Sequence, residues 1–166
     1  MIDRPALLEF ASVRELYLHF ERIFLNGGLS LQVISTCGHT VTVFDHNFFH
    51  LVKLDDPTKP KPLLMSEEKA VILATRDGFG PYVHDKQRAI YLGSAMACLA
   101  SPDEVWEDSA LKSAKWVYIK HFNTSPYSCT ILLVSERARE GRVPSTSFPG
   151  KNRDVKKWRR GVRIYP

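Results

Sequence analysis

The sequence predicts a single domain of the α+β class. Three observations carry that expectation. An amphipathic helix opens the chain, two β-branched and aromatic runs (KWVYIKHF and SCTILLVS) are separated by turn chemistry, and 166 residues suffice for one proper core but not comfortably for two.

The elements follow in order. From Pro5 to Leu25 the apolar positions Leu7, Val13, Leu16, Tyr17, Phe20, Ile23 and Phe24 recur at threes and fours, and Asn26-Gly27-Gly28 stops the helix. Leu31 to Leu54 is rich in β-branched and aromatic residues, with Gly38-His39 able to turn between LQVIST and TVTVF, which predicts two or three short strands. The proline-rich DDPTKPKP, Asp55 to Pro62, is a loop; Ser66-Glu67-Glu68 caps a short helix that Asp77-Gly78 and Gly80-Pro81 end. HDKQRAIYLGSAMACLAS is a second long helix whose small apolar face, Ile90, Gly93, Ala97 and Ala100 flanked by Leu92, Met96 and Leu99, lies tightly on a sheet until Pro102 closes it. KWVYIKHF and SCTILLVS, parted by Asn123-Thr124-Ser125-Pro126, form an antiparallel pair near the centre of that sheet. A strand over 143–148, a basic helix over 152–160 stopped by Gly161, and a terminal VRIY strand complete the chain.

Charge is concentrated at one end. Glu136 to Pro166 holds ten Lys/Arg against three Asp/Glu, a local +7, so the chain total of +5 leaves −2 for everything before it. With Trp158 and Tyr165 among the cations, this end reads as a phosphate-holding surface or as a solvated basic end. No apolar run reaches the length of a membrane span and no signal-peptide order opens the chain, so the expected location is cytoplasmic, although a part cut from a larger protein would show none of its parent's targeting. Cys37, Cys98 and Cys129 are odd in number and lack a CxxC pair, which favours buried thiols over a disulfide framework or a zinc site.

Candidate chemistry begins at His50 in FDHNFFHLVKL. A lone histidine among apolar residues is more often structural than catalytic. His46 and His50 have the spacing of helical zinc ligands, but Phe44, Phe48 and Phe49 argue for a strand and no HExxH glutamate is present, so no metal is expected. On a regular strand His50 shares a face with Phe48, Val52 and Leu54, while Lys53 points the other way. Lys120, in YIKHF, is either a snorkelling residue or a phosphate contact. Ser145, Thr146 and Ser147 are either a polar strand end or the small donors that phosphate oxygens require.

The histidine run FFHLVKL, the segment RAIYLGSAMACLASPDEVWED, and the strands WVYIKHF, TILLVS and VPSTSF together resemble the phage-associated nuclease domains of the barnase, EndoU, colicin and RelE-like superfamily. The resemblance covers about residues 41–148 and is most specific from Arg88 to Trp106; the N-terminal helix, residues 1–30, and the basic extension, 149–166, lie outside it. It implies N-terminal helices packed on a twisted antiparallel sheet whose concave face binds RNA, and a metal-independent, toxin-like RNA endonuclease without cofactor.

Carried over by residue, the resemblance gives His50, Arg88, Lys120 and Thr146 as the catalytic set. Single-stranded RNA or tRNA supplies its own nucleophile in the 2′-OH, so the protein needs a base, an acid and cations, and the product is a 2′,3′-cyclic phosphate. An imidazole with its ordinary pKa of about 6.5 suits either proton-transfer role, with His121 as the weaker second candidate. Ser145, Ser147, Lys151, Arg153, Lys156, Lys157, Trp158, Arg159 and Arg160 would grip RNA, the tryptophan by stacking. Toxin use implies an acidic antitoxin or immunity protein over the cationic cleft. Two rival readings stand beside this one. The first is a binding domain that has lost its chemistry, which Leu54-Asp55-Asp56 suits because the family pattern often has a second basic-histidine pair there. The second is a phage structural module whose tail contacts packaged DNA.

Overall fold

The computed structural model describes residues 12–34, 38–52, 88, 90–108, 115–123, 129–139 and 141–166. The expected Asp55–Pro62 loop, the Ser66-led helix, the start of the first helix at 5–11, and Cys37 and Lys53 lie outside the described residues.

The chain is α+β, as the pattern predicts. Helix α1, Val13–Phe20, starts where the Ser12 side chain accepts the Glu15 N–H at 3.2 Å, and it buries Val13, Leu16, Tyr17 and Phe20. It continues as a π-helical turn, Glu21–Leu25, that buries Phe24 and stacks it on Phe20 with centroids 5.0 Å apart. Asn26, at φ +46°, ends it in the left-handed region.

Strands β1, Ser30–Ile34, and β2, Thr40–Phe44, form an antiparallel pair. Of the two or three strands expected, two form among the described residues, and the His50 segment expected as a strand is a helix, α2, Asn47–Val52. The reason is local. Asn47 Oδ1 accepts the Phe44 N–H at 2.7 Å and Asp45 O accepts the Phe48 N–H at 3.3 Å, which turns the chain before an apolar run short enough to satisfy either period. The Tyr17 hydroxyl donates to the Asp45 carboxylate and ties α1 to this turn.

Helix α3, Leu92–Ala100, stops at Ser101 before Pro102. Its buried face is Leu92, Ser94, Ala95, Cys98 and Leu99, rotated from the expected Ile90, Gly93, Ala97 and Ala100, which are only partly buried. The smaller residues were expected to face inward; burial of the large Leu92 and Leu99 sets the rotation instead.

The remaining strands are β3, Glu104–Asp108; β4, Lys115–Phe122; β5, Cys129–Ala138; β6, Gly141–Gly150; and β7, Val162–Tyr165, with helix α4, Asn152–Trp158, between the last two. They form one sheet ordered β6-β5-β4-β3-β7, antiparallel throughout. The β4–β5 pair stands near the centre, as expected. EVWED, to which the sequence pattern assigned no element, is strand β3. β6 is longer than expected and holds Pro144 and Pro149, which an edge strand tolerates because their missing N–H groups cost no ladder bond.

Alternation along β4 divides the sheet into two faces. Tyr118 and Phe122 join the main core with α1, α2 and α3, whereas Val117 and Ile119 join Leu132, Val134 and Val155 in a second cluster against Trp158 and Phe148. The basic tail therefore lies on the sheet: α4 covers the second face through Val155 and Trp158, and β7 extends the sheet beside β3.

Candidate functional site

At the β6 edge, Arg88 Nη1 donates to Thr146 Oγ1, and the Arg88 guanidinium carbon lies 5.2 Å from the Phe148 ring centroid. Two of the four residues expected in the catalytic set therefore meet. Thr146 pairs with Val134 and Phe148 with Leu132, so both lie on the α4 face. The neighbouring hydroxyls do not share that position. Ser145 Oγ donates to Val134 O at 3.2 Å where the β5–β6 register shifts, and Ser147, across from Leu133 of the main core, is buried.

His50 is on α2, not on a strand, and is exposed while Phe48, Phe49, Leu51 and Val52 are buried around it. Its helix packs on β6, the strand that carries Thr146. Lys120 stands apart. It is 7 % exposed on the α3 face, its Nζ donates to Ser101 O at 2.8 Å, and it lies 5.8 Å from the Phe122 centroid. Lys120 does not snorkel to water: it stands on the central strand, its stem on apolar surface and its ammonium capping the end of α3.

On the α4 face the sheet gathers a group that the sequence reading largely missed. Glu104, on β3, is 4 % exposed. Its carboxylate accepts Arg159 Nε at 2.9 Å and Nη2 at 2.6 Å and the Trp106 indole N–H at 3.3 Å, with Arg163 Nη2 at 3.9 Å. His121 Nε2 stands 3.8 Å from the same carboxylate, and His121 Nδ1 is 2.9 Å from Thr130 Oγ1. The His121 backbone N–H is held by Asp103 Oδ2 at 2.7 Å.

Burial alone would push the Glu104 carboxyl up. The Arg159 and Trp106 hydrogen bonds, with the charges of Arg159 and Arg163, outweigh it and hold the group below its ordinary value. Glu104 is thus an ionised anchor, and His121, Arg159 and Arg163 are the partly exposed groups it orients. An imidazole and two guanidiniums on one face can move a proton and stabilise a phosphorane.

Tail residues expected to grip RNA divide in two. Lys151, Arg153, Lys156, Lys157 and Arg160 are exposed on and around α4, and Arg160 reaches Asp108 at 3.4 Å. Arg159 is committed to Glu104, and Trp158 is half-buried with its ring 5.9 Å from that of Phe148. Among the described residues no group of three His, Cys, Asp or Glu side chains is arranged to hold a metal ion, and no helix is long and apolar enough to cross a membrane.

Glu104, Thr130 and Arg163 were not expected as site residues. A signal existed: in PDEVWED, Glu104 and Trp106 share a face once the segment is a strand. Only the pairing of Glu104 with Ile119, and of His121 with Thr130, places them together, and register is not written in either segment alone.

The family model described as phage-Barnase-EndoU-ColicinE5/D-RelE like nuclease2 matches residues 47–166, the basic tail included. No curated protein and no solved structure matches the chain.

Proposed function

The chain belongs to this phage-associated barnase, EndoU, colicin E5/D and RelE-like nuclease family, and from that premise we propose that it is a metal-independent endoribonuclease cutting single-stranded RNA or tRNA. The observation that carries the reading is the gathering of His121, Arg159 and Arg163 by the buried Glu104 carboxylate. The 2′-oxygen attacks phosphorus as its proton leaves to a base, and the 5′-oxygen departs as it takes a proton from an acid. The products are a 2′,3′-cyclic phosphate and a 5′-hydroxyl.

His121 serves one proton-transfer role, held by Thr130 and Glu104, and Arg159 and Arg163 offset the charge of the phosphorane. Arg88, fixed by Thr146, holds the backbone at the β6 edge. His50, exposed on α2, which packs on β6 from the face opposite His121, contacts substrate passing that edge and does not serve as the paired acid or base of His121. Lys120 contributes by positioning: its bond to Ser101 O fixes the end of α3 just before β3 and Glu104.

Exposed Lys151, Arg153, Lys156 and Lys157 supply salt-dependent affinity. An acidic antitoxin or immunity protein is the partner whose charge complements this surface, and a cytoplasmic site of action follows from the substrate.

Labelled RNA incubated in EDTA tests the reading. The parent protein yields cyclic-phosphate ends, His121→Ala abolishes them, and His50→Ala lowers the rate. Salt-sensitive binding without cleavage would instead favour a binding domain that has lost its chemistry.

A further inference from the structure

The β5–β6 hairpin ends in a like-charge pair. Arg137 and Arg142 are direct partners across the two strands, one step before the Ala138–Gly141 pair, and Arg139 follows in the turn. Like charges directly opposite on a sheet destabilise it. The simplest relief is for one guanidinium to swing into water, and Arg142 is prevented from doing so.

Its guanidinium carbon lies 3.6 Å from the Trp116 ring centroid, and Nη1 donates to both Ser135 O and Ser135 Oγ at 3.3 Å. Trp116 is itself fixed by its indole N–H on Glu107 Oε2 at 2.8 Å and by the His39 ring, edge-on at 4.1 Å. Burial, and then Arg137, disfavour the charged form of Arg142, while Glu107 and Tyr118 offset them in part. The described acid of the hairpin, Glu136, faces Lys115 at 3.9 Å. The fold thus holds one cation rigid against an aromatic and sets a second, exposed one opposite it.

We propose that Arg137 and Arg142 form a phosphate clamp at the hairpin tip, taking one phosphodiester of a nucleic-acid strand between the two guanidiniums. A phosphate there converts the repulsion into two charge-assisted hydrogen bonds. Arg142 and Thr146 are three ladder steps apart, about 10 Å at the usual rise, and the bulge between them turns Arg142 to the Trp116 face and Thr146 to the α4 face. A single-stranded backbone crossing over that edge from one face to the other meets the clamp and then the Arg88–Thr146 contact. The proposal deepens the nuclease reading in naming where substrate lies beyond the scissile phosphate, and rests on it for the identity of the strand.

The test is Arg137→Ala, read in two directions. Without ligand the variant melts higher than the parent, by about 1–3 °C, because the like-charge pair is gone. With a short 2′-O-methyl oligonucleotide, which cannot be cut by 2′-OH attack, it binds roughly fivefold more weakly, and the slope of log K against log salt falls by about 0.7. Arg137→Lys keeps most of the slope. Arg14→Ala, removing an exposed charge from α1, changes the slope less than Arg137→Ala does.

Parent-like oligonucleotide binding by Arg137→Ala, or a lower melting temperature, overturns the clamp. Cleavage of the all-ribose oligonucleotide is followed in parallel. A parent that cuts while Arg137→Ala binds unchanged sinks the clamp alone, whereas a parent that never cuts while Arg137→Ala binds more weakly sinks the nuclease reading and leaves the clamp standing.

Discussion

Glu104 and Arg159 form a two-pronged ion pair across the α4 face, with Nη2 2.6 Å and Nε 2.9 Å from the two carboxylate oxygens. The carboxylate is buried and the guanidinium is about a third exposed. Removing the charge from the buried side therefore leaves Arg159 able to reach water. Glu104→Gln is expected to cost about 1–2 kcal/mol in urea unfolding, below the full penalty for breaking a buried pair. The sign with pH is fixed by the lowered carboxyl. Its contribution is complete above the ordinary value of 4.5 and is lost as pH falls through the lower folded value. Unfolding midpoints taken on acidification below that point should fall more steeply for the parent than for Glu104→Gln, and parallel curves would remove Glu104 as the anchor.

Thr146→Val keeps the shape of a β-branched residue at the sheet edge and removes the oxygen that Arg88 grips. Losing one charge-assisted contact to Arg88, the group proposed to hold phosphate, is expected to lower kcat/KM for RNA cleavage by about 10–100-fold, with unfolding within about 1 kcal/mol of the parent. A variant that cuts at the parental rate would leave the Arg88–Thr146 pair a purely structural contact.

Lys120→Met separates a capping lysine from a phosphate-binding one. The ammonium satisfies Ser101 O at the end of α3 and is almost wholly buried. Methionine retains the stem and loses the donor, at an expected cost of about 1–2 kcal/mol in urea unfolding. The salt dependence of oligonucleotide binding should be unchanged, because no phosphate contact is removed. A slope lower by about 0.7 would return Lys120 to the phosphate.

What the sequence made legible follows from what each segment can specify by itself. KWVYIKHF and SCTILLVS carry strong β propensity and lie side by side in the chain, so their pairing was readable. NFFHLV was misread because a six-residue apolar run fits both periods, and the Asn47–Phe44 bond that decides for a helix is a single side-chain contact. The Arg88–Thr146 contact was reached through family resemblance, since 58 positions separate the two residues. Glu104 was lost for the opposite reason. β3 is short and largely buried on both sides, and its meaning depends on β4 beside it and on Arg159 and Arg163 arriving from the far end of the chain.

Gly161 is the hinge through which those arginines arrive, and it gives the sharpest stability test. Its φ is +82°, and a Cβ there would stand 2.0 Å from Glu107 O and 2.9 Å from Glu107 C. Neither atom can move without breaking the β3–β7 ladder, in which Glu107 pairs with Val162. Gly27 supplies the control, because its φ is +84° and a Cβ would meet nothing within 4 Å. Gly27→Ala is therefore expected to cost about 1–2 kcal/mol, the left-handed penalty alone. Gly161→Ala adds an overlap with backbone and should cost about 3 kcal/mol or more, releasing β7. Amide exchange at Val162 to Tyr165 should accelerate in Gly161→Ala and stay parental in Gly27→Ala. Because β7 carries Arg163, and Arg159 stands two residues before the hinge, RNA cleavage should fall with it. If both alanine variants unfold at the same urea concentration, the close approach to Glu107 does not hold the tail on the sheet.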